Sequence, residues 1–253
     1  MNSVSVRALL VRGMLAGLVA GLLAFGLARW IGEPPVDAAI AFEDAHAGAH
    51  EHGVELVSRS MQSTAGLATA VLVFGTAVGG IAALAFCFAL GRIGRFGARA
   101  TAALVALAAY VTVYFVPSLK YPANPPAVGD PDTLAKRTTL FFLMIALSVL
   151  LALGATLLGR RLAPRWGNWN ASIAAVAAFV VVIAVAMAFL PVVNELPKDF
   201  PPDTLWRFRL ASFGIQALLW SSFGLVFGAL AERVVEPGRV RSREAAESAV
   251  AAH

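Results

Sequence analysis

Cysteine is almost missing from this chain. Cys87 stands alone among 253 residues, inside an apolar run, so a disulfide framework and a thiolate metal cage are both excluded. Charge is scarce as well: Asp, Glu, Lys and Arg make up 14% of the residues, against about 25% in an average soluble domain. Histidine occurs four times and tyrosine three. What fills the space is hydrocarbon, with 59% apolar residues and a mean hydropathy of +0.76. This composition excludes a disordered chain, a nucleic-acid arm and an ordinary soluble enzyme, and leaves a polytopic membrane protein.

A bilayer core of about 30 Å takes roughly 20 apolar residues per helix. Six stretches come up to that length, at about 8–28, 65–90, 100–116, 140–158, 171–190 and 211–231, none with an acid away from its ends. Their uninterrupted apolar length excludes the shorter, alternating strands of an outer-membrane barrel. The expected fold is therefore all-α: one integral-membrane domain over residues 1–253, a six-span transmembrane helical bundle. Residues 29–64 are expected to form an outer loop and 236–253 a cytoplasmic tail. Glycines at fourth positions (Gly13, Gly17 and Gly21; Gly75 and Gly79; Gly224 and Gly228) predict close helix–helix contacts. Such a face also argues that the first span is a packed helix, since a cleaved leader has no use for one.

Charge placement predicts the orientation. The N-terminal end, the second and fourth connections and the tail carry 12 of the 20 basic residues and four acids; the other three loops carry 8 bases and 11 acids. The positive-inside rule puts the arginine-rich side, and with it both termini, in the cytoplasm. The pI near 10 is thus an orientation device rather than a mark of nucleic-acid binding.

Pro131-Asp132-Thr133-Leu134 recurs 71 residues later as Pro202-Asp203-Thr204-Leu205, and the spans starting at Ala100 and Ala171 have the same separation. Spans 3–4 and 5–6 are therefore expected to be a repeated hairpin. Locally, Asp132 and Asp203 are suited to capping the helices that follow.

The first outer loop holds three of the four histidines, within Glu43-Asp44-Ala45-His46-Ala47-Gly48-Ala49-His50-Glu51-His52. If it is helical, His46 and His50 share a face; if extended, His50 and His52 do. Either way imidazoles converge with Glu43, Asp44 and Glu51. Nitrogen and carboxylate donors suit borderline divalent ions such as cobalt, nickel or zinc. These six residues are the candidate metal ligands, and protonating the imidazoles would release the ion. In the second outer loop, prolines stiffen the backbone around Tyr121, Asn124, Asp130 and Asp132, a shaped lid or a rigid connector rich in oxygen. The third, at 194–203, is similarly oxygen-rich and ends at Asp203. Within the spans, Gln216, Ser221 and Ser222 are the candidates for a polar pathway.

The run over residues 120–138, KYPANPPAVGDPDTLAKRT, resembles the signature of the CbtA family of cobalt transporter subunits. The glycine-rich first span, Glu33-Pro34 and the histidine-bearing loop are also similar, so the likeness covers nearly the whole chain. The resemblance implies a multi-pass protein of the bacterial inner (plasma) membrane, in cobalt uptake linked to cobalamin supply. It also implies a small single-span CbtB-like partner with its own histidines. The expected function is thus a permease subunit that gathers divalent cobalt at the histidine loop and passes it through the bundle, with no tightly bound cofactor. An accessory metal-binding or assembly subunit without transport of its own is the alternative. An integral-membrane metalloenzyme fits less well, because no span carries paired acid–base or nucleophilic groups, and no phosphate-binding loop is present.

Overall fold

The computed structural model describes residues 3–46 and 57–237. All regular structure among the described residues is helical: α1 (Ser3–Leu27), α2 (Glu33–His46), α3 (Arg59–Met61), α4 (Leu67–Ala89), α5 (Ala98–Ala109), α6 (Val116–Lys120), α7 (Pro131–Phe189) and α8 (Pro202–Val235). Three π-helical turns, Ala28–Gly32, Gln62–Gly66 and Tyr110–Phe115, join α1 to α2, α3 to α4 and α5 to α6 without breaking the rods. Five of the resulting helices are long and apolar enough to cross a membrane: Ser5–His46, Arg59–Ala89, Ala98–Lys120, Asp132–Phe189 and Pro202–Val235.

Two differences from the sequence reading have clear causes. The segment 29–64, expected as a loop, is helical from Glu33 to His46. Pro34 and Pro35 sit in the first turn of α2, where a missing N–H breaks no bond and a fixed φ suits the helix. The fourth and fifth apolar stretches lie within one helical tract, α7, of 59 residues. That tract is folded back on itself. Gly167 has φ 73° and ψ 161°, a conformation open essentially only to glycine, three residues after Pro164. Residues equally far on either side then meet: a methyl group on Gly159 would lie 3.4 Å from the Ala175 side chain.

The contacts divide the chain into two compact units. In the first, formed by residues 1–31, 54–109 and 214–253, α1 lies along α4 through the glycine faces. A methyl group on Gly75 would come 2.7 Å from the Gly17 carbonyl, so only glycine permits this backbone approach. Gly224 and Gly228 of α8 let it approach α5 less closely, at Ala102, Ala106 and Arg99. Phe86, Phe223 and Phe227 interlock in the same unit, with ring centroids 5.1 and 5.2 Å apart.

The second unit comprises residues 32–53 and 110–213. Val116, Tyr121, Met144 and Ile183 form its larger core, so both arms of α7 pack with α6. A smaller core gathers Ala39 of α2, Val128 of the proline loop, and Phe200 and Leu205 at the entry to α8, with Phe42 packed against it. Three segments far apart in sequence are thereby fastened together.

Candidate metal-handling site

His46 stands on the last turn of α2, close to the small core. Phe42 lies edge-on to Phe200 with centroids 5.1 Å apart, and one turn later the His46 ring stacks on Phe42 at 4.1 Å. The Nδ1 of His46 is 2.8 Å from the Phe42 carbonyl oxygen. A carbonyl only accepts, so Nδ1 carries the proton and, in the neutral ring, Nε2 keeps its lone pair. This is the arrangement by which metal-binding histidines are commonly oriented. His46, Glu43 and Asp44 are all exposed on the last turn of α2. His50, Glu51 and His52 lie outside the described residues. Among the described residues no group of three His, Cys, Asp or Glu side chains converges as a metal cage.

The second and third loops close on each other beside the small core. Asp130 is the N-cap of α7: its Oδ1 accepts from the Asp132 N–H at 2.9 Å. The capping expected of Asp132 falls to Asp130 because Pro131, with its preset φ, takes the first helical position. Asp132 is exposed in the first turn. Asp203 occupies the matching place in α8 and pairs with Arg207 at 2.9 Å, both well exposed.

Glu195, in the third loop, is the buried charge of this region, its side chain 3% exposed. The Thr133 hydroxyl donates to its Oε1, and Arg137 Nη1 donates to its Oε2 at 2.5 Å. Arg209 donates from Nη2 to Asn124 Oδ1 at 3.1 Å and from Nε to the Ala123 carbonyl at 3.4 Å. Tyr121 donates to the Pro191 carbonyl at 2.9 Å, and burial pushes its phenol pKa above the ordinary value, keeping it a donor. These side chains enclose a cavity of about 40 Å³, adjoined by a wider recess of about 230 Å³ that Tyr114, Ser118 and Phe141 also line.

Sequence reasoning named Tyr121, Asn124 and Asp130 here but passed over Glu195, Arg137 and Arg209. The available signal, an acid in a proline-bounded loop, does not single out Glu195, because Asp199 shares that loop. The three pathway candidates fall in the other unit: Ser222 is buried, Gln216 half-buried and Ser221 exposed. Ser148, in the fourth apolar stretch, is fully buried and donates to the Thr112 carbonyl at 2.5 Å, inside a π-helical turn. Its own helix offers a second acceptor, the Met144 carbonyl at 2.7 Å.

Long apolar helices and glycine-mediated contacts define a helical membrane protein. Residues 6–232 match the CbtA family, described as "Probable cobalt transporter subunit", and the chain belongs to that family. Comparison with curated proteins and with solved structures gives no match.

Proposed function

We propose that this chain is the permease subunit of a divalent cobalt uptake system, capturing the ion at the outer histidine segment. The observation that carries the capture site is the His46 ring, held by Phe42 with Nε2 presented to solvent at the end of a helix. His50, His52, Glu43, Asp44 and Glu51 complete the donor set, a nitrogen and oxygen combination suited to cobalt. The chain then crosses the bilayer six times with both termini in the cytoplasm. The fold-back at Gly167 supports this count, since 59 helical residues would measure about 88 Å if straight, nearly three times a bilayer core. The basic residues Arg160, Arg161 and Arg165 lie just before the fold and suit a cytoplasmic tip. The repeated Pro-Asp-Thr-Leu opens both α7 and α8, which supports a duplicated hairpin. A subunit of a transporter has a partner, and the single-span CbtB-like chain is our candidate, in the bacterial inner membrane.

The test has two arms. Replacing His46, His50 and His52 together by alanine should abolish most cobalt accumulation by cells; unchanged accumulation removes them from the mechanism. In liposomes, cobalt influx through the purified chain supports the permease, whereas binding without influx assigns transport to another subunit.

A further inference from the structure

The small cavity in the second unit has an uneven balance of hydrogen-bonding groups. Each of its side-chain polar groups already takes part in a hydrogen bond. Glu195 Oε1 is taken by the Thr133 hydroxyl and Oε2 by Arg137. Asn124 Oδ1 accepts from Arg209 at 3.1 Å, and Asn194 Oδ1 faces the Leu196 N–H at 3.4 Å. The Tyr121 hydroxyl is committed to the Pro191 carbonyl at 2.9 Å. The lining also holds unspent donors: the remaining N–H groups of Arg137 and Arg209 and the amide NH₂ groups of Asn124 and Asn194. The Asn124 orientation is not arbitrary, because a guanidinium can only donate and so must face the amide oxygen.

Charge points the same way. Two guanidiniums and one carboxylate leave a formal +1. Arg137 is answered by Glu195, but the bonds of Arg209 go to neutral oxygens, the Ala123 carbonyl and the Asn124 amide. A partly buried cation is costly without a counter-charge. A divalent metal would meet net positive charge. A guest that only accepts and carries negative charge takes up the unspent donors and answers the net charge.

We propose that this cavity is a chloride site, with Arg209 and Arg137 as the principal donors and Asn124 Nδ2 as the third. A space of about 40 Å³ has room for a monatomic ion, and phosphate, which could reach it from the wider recess alongside, is an arm of the test. The ion sits where the second and third loops meet, so it fastens the proline loop to the start of α8. This site is independent of cobalt capture, and its failure leaves that reading untouched.

The probe is halide itself. The purified full-length chain in detergent is melted in sodium chloride, sodium bromide, sodium phosphate and sodium gluconate at equal ionic strength. Chloride and bromide at saturating concentration should raise the melting temperature by about 4 °C over gluconate, with saturable dependence. Arg209→Gln should melt identically in all four salts, and Arg209→Lys should need several-fold more halide. Because Arg209→Gln can fail to fold, bromide-soaked crystals of the unaltered chain give a second readout. An anomalous peak between Arg137 and Arg209 supports the site. Equal melting in chloride and gluconate, stabilisation by phosphate alone, a halide response that survives Arg209→Gln, or water without bromide in the cavity overturns it.

Discussion

Glu195 holds the second and third loops together through a charge with almost no contact with solvent, so the cost of changing it can be bounded. Glu195→Gln keeps the size and a carbonyl acceptor but leaves the Arg137 guanidinium without its counter-charge. Breaking a buried pair by removing one partner costs about 3–5 kcal/mol. Here Arg137 is 28% exposed and recovers part of its hydration, so about 2 kcal/mol is expected. In a chain of this size that is a drop of about 4–8 °C in melting temperature, measurable by scanning fluorimetry. The double variant Arg137→Leu/Glu195→Leu should recover part of the loss, since it leaves no stranded charge. At His46 the expectation concerns chemistry rather than stability. His46→Gln should weaken cobalt binding at least tenfold by titration calorimetry and leave melting within about 1 °C, because an exposed surface side chain carries little stability. The difference between these residues explains what could be read in advance. Three imidazoles within seven positions are visible on inspection, whereas Glu195 gains its meaning from Thr133 and Arg137, 62 and 58 residues away. No local pattern marks an acid that only tertiary closure will bury.

Helices and their contacts were legible because they rest on local rules: apolar length sets the rods, and fourth-position glycines set which faces touch. Their ends were less so. A π-helical turn adds no residue type that the eye can find, and two prolines after Glu33 look like a stop although they open a helix. Gly167 carried no visible signal either, being one glycine among 22. It can be tested against a neighbour in the same tract. A methyl group at Gly167 or at Gly154 meets nothing within 4 Å, so sterics are equal. Gly154 has helical backbone, and Gly154→Ala should stabilise by about 0.5–1 kcal/mol. Gly167→Ala must hold alanine at φ 73° and should destabilise by about 1–3 kcal/mol. Opposite signs from one substitution would establish the fold-back; a stabilising Gly167→Ala would mean the tract runs straight. Gly75→Ala, with its methyl group 2.7 Å from the Gly17 carbonyl, should destabilise more than either, because backbone cannot yield as a side chain can.

For the whole molecule, the orientation in the bilayer depends on charges that make few contacts. Arg95 and Arg165 are exposed, and both lie in the connections that hold bases without acids. Lys198 is exposed in a loop that also contains Glu195 and Asp199. The fold does not need these side chains where they are; the asymmetry of the membrane-insertion machinery toward positive charge does. Single cysteines at the three positions, in a Cys87→Ala background, therefore report topology with little disturbance of packing. Lys198→Cys should react in intact cells with a maleimide that cannot cross the membrane. Arg95→Cys and Arg165→Cys should react only after permeabilisation. Arg165 decides the number of crossings. If α7 crosses once as a single long rod, position 165 cannot be cytoplasmic while position 198 is outside. If α7 turns back at Gly167, its tip is reached from the cytoplasm alone. Labelling of Arg95→Cys from outside would invert the whole arrangement, leaving the histidine segment in the cytoplasm, where it could not gather cobalt for uptake.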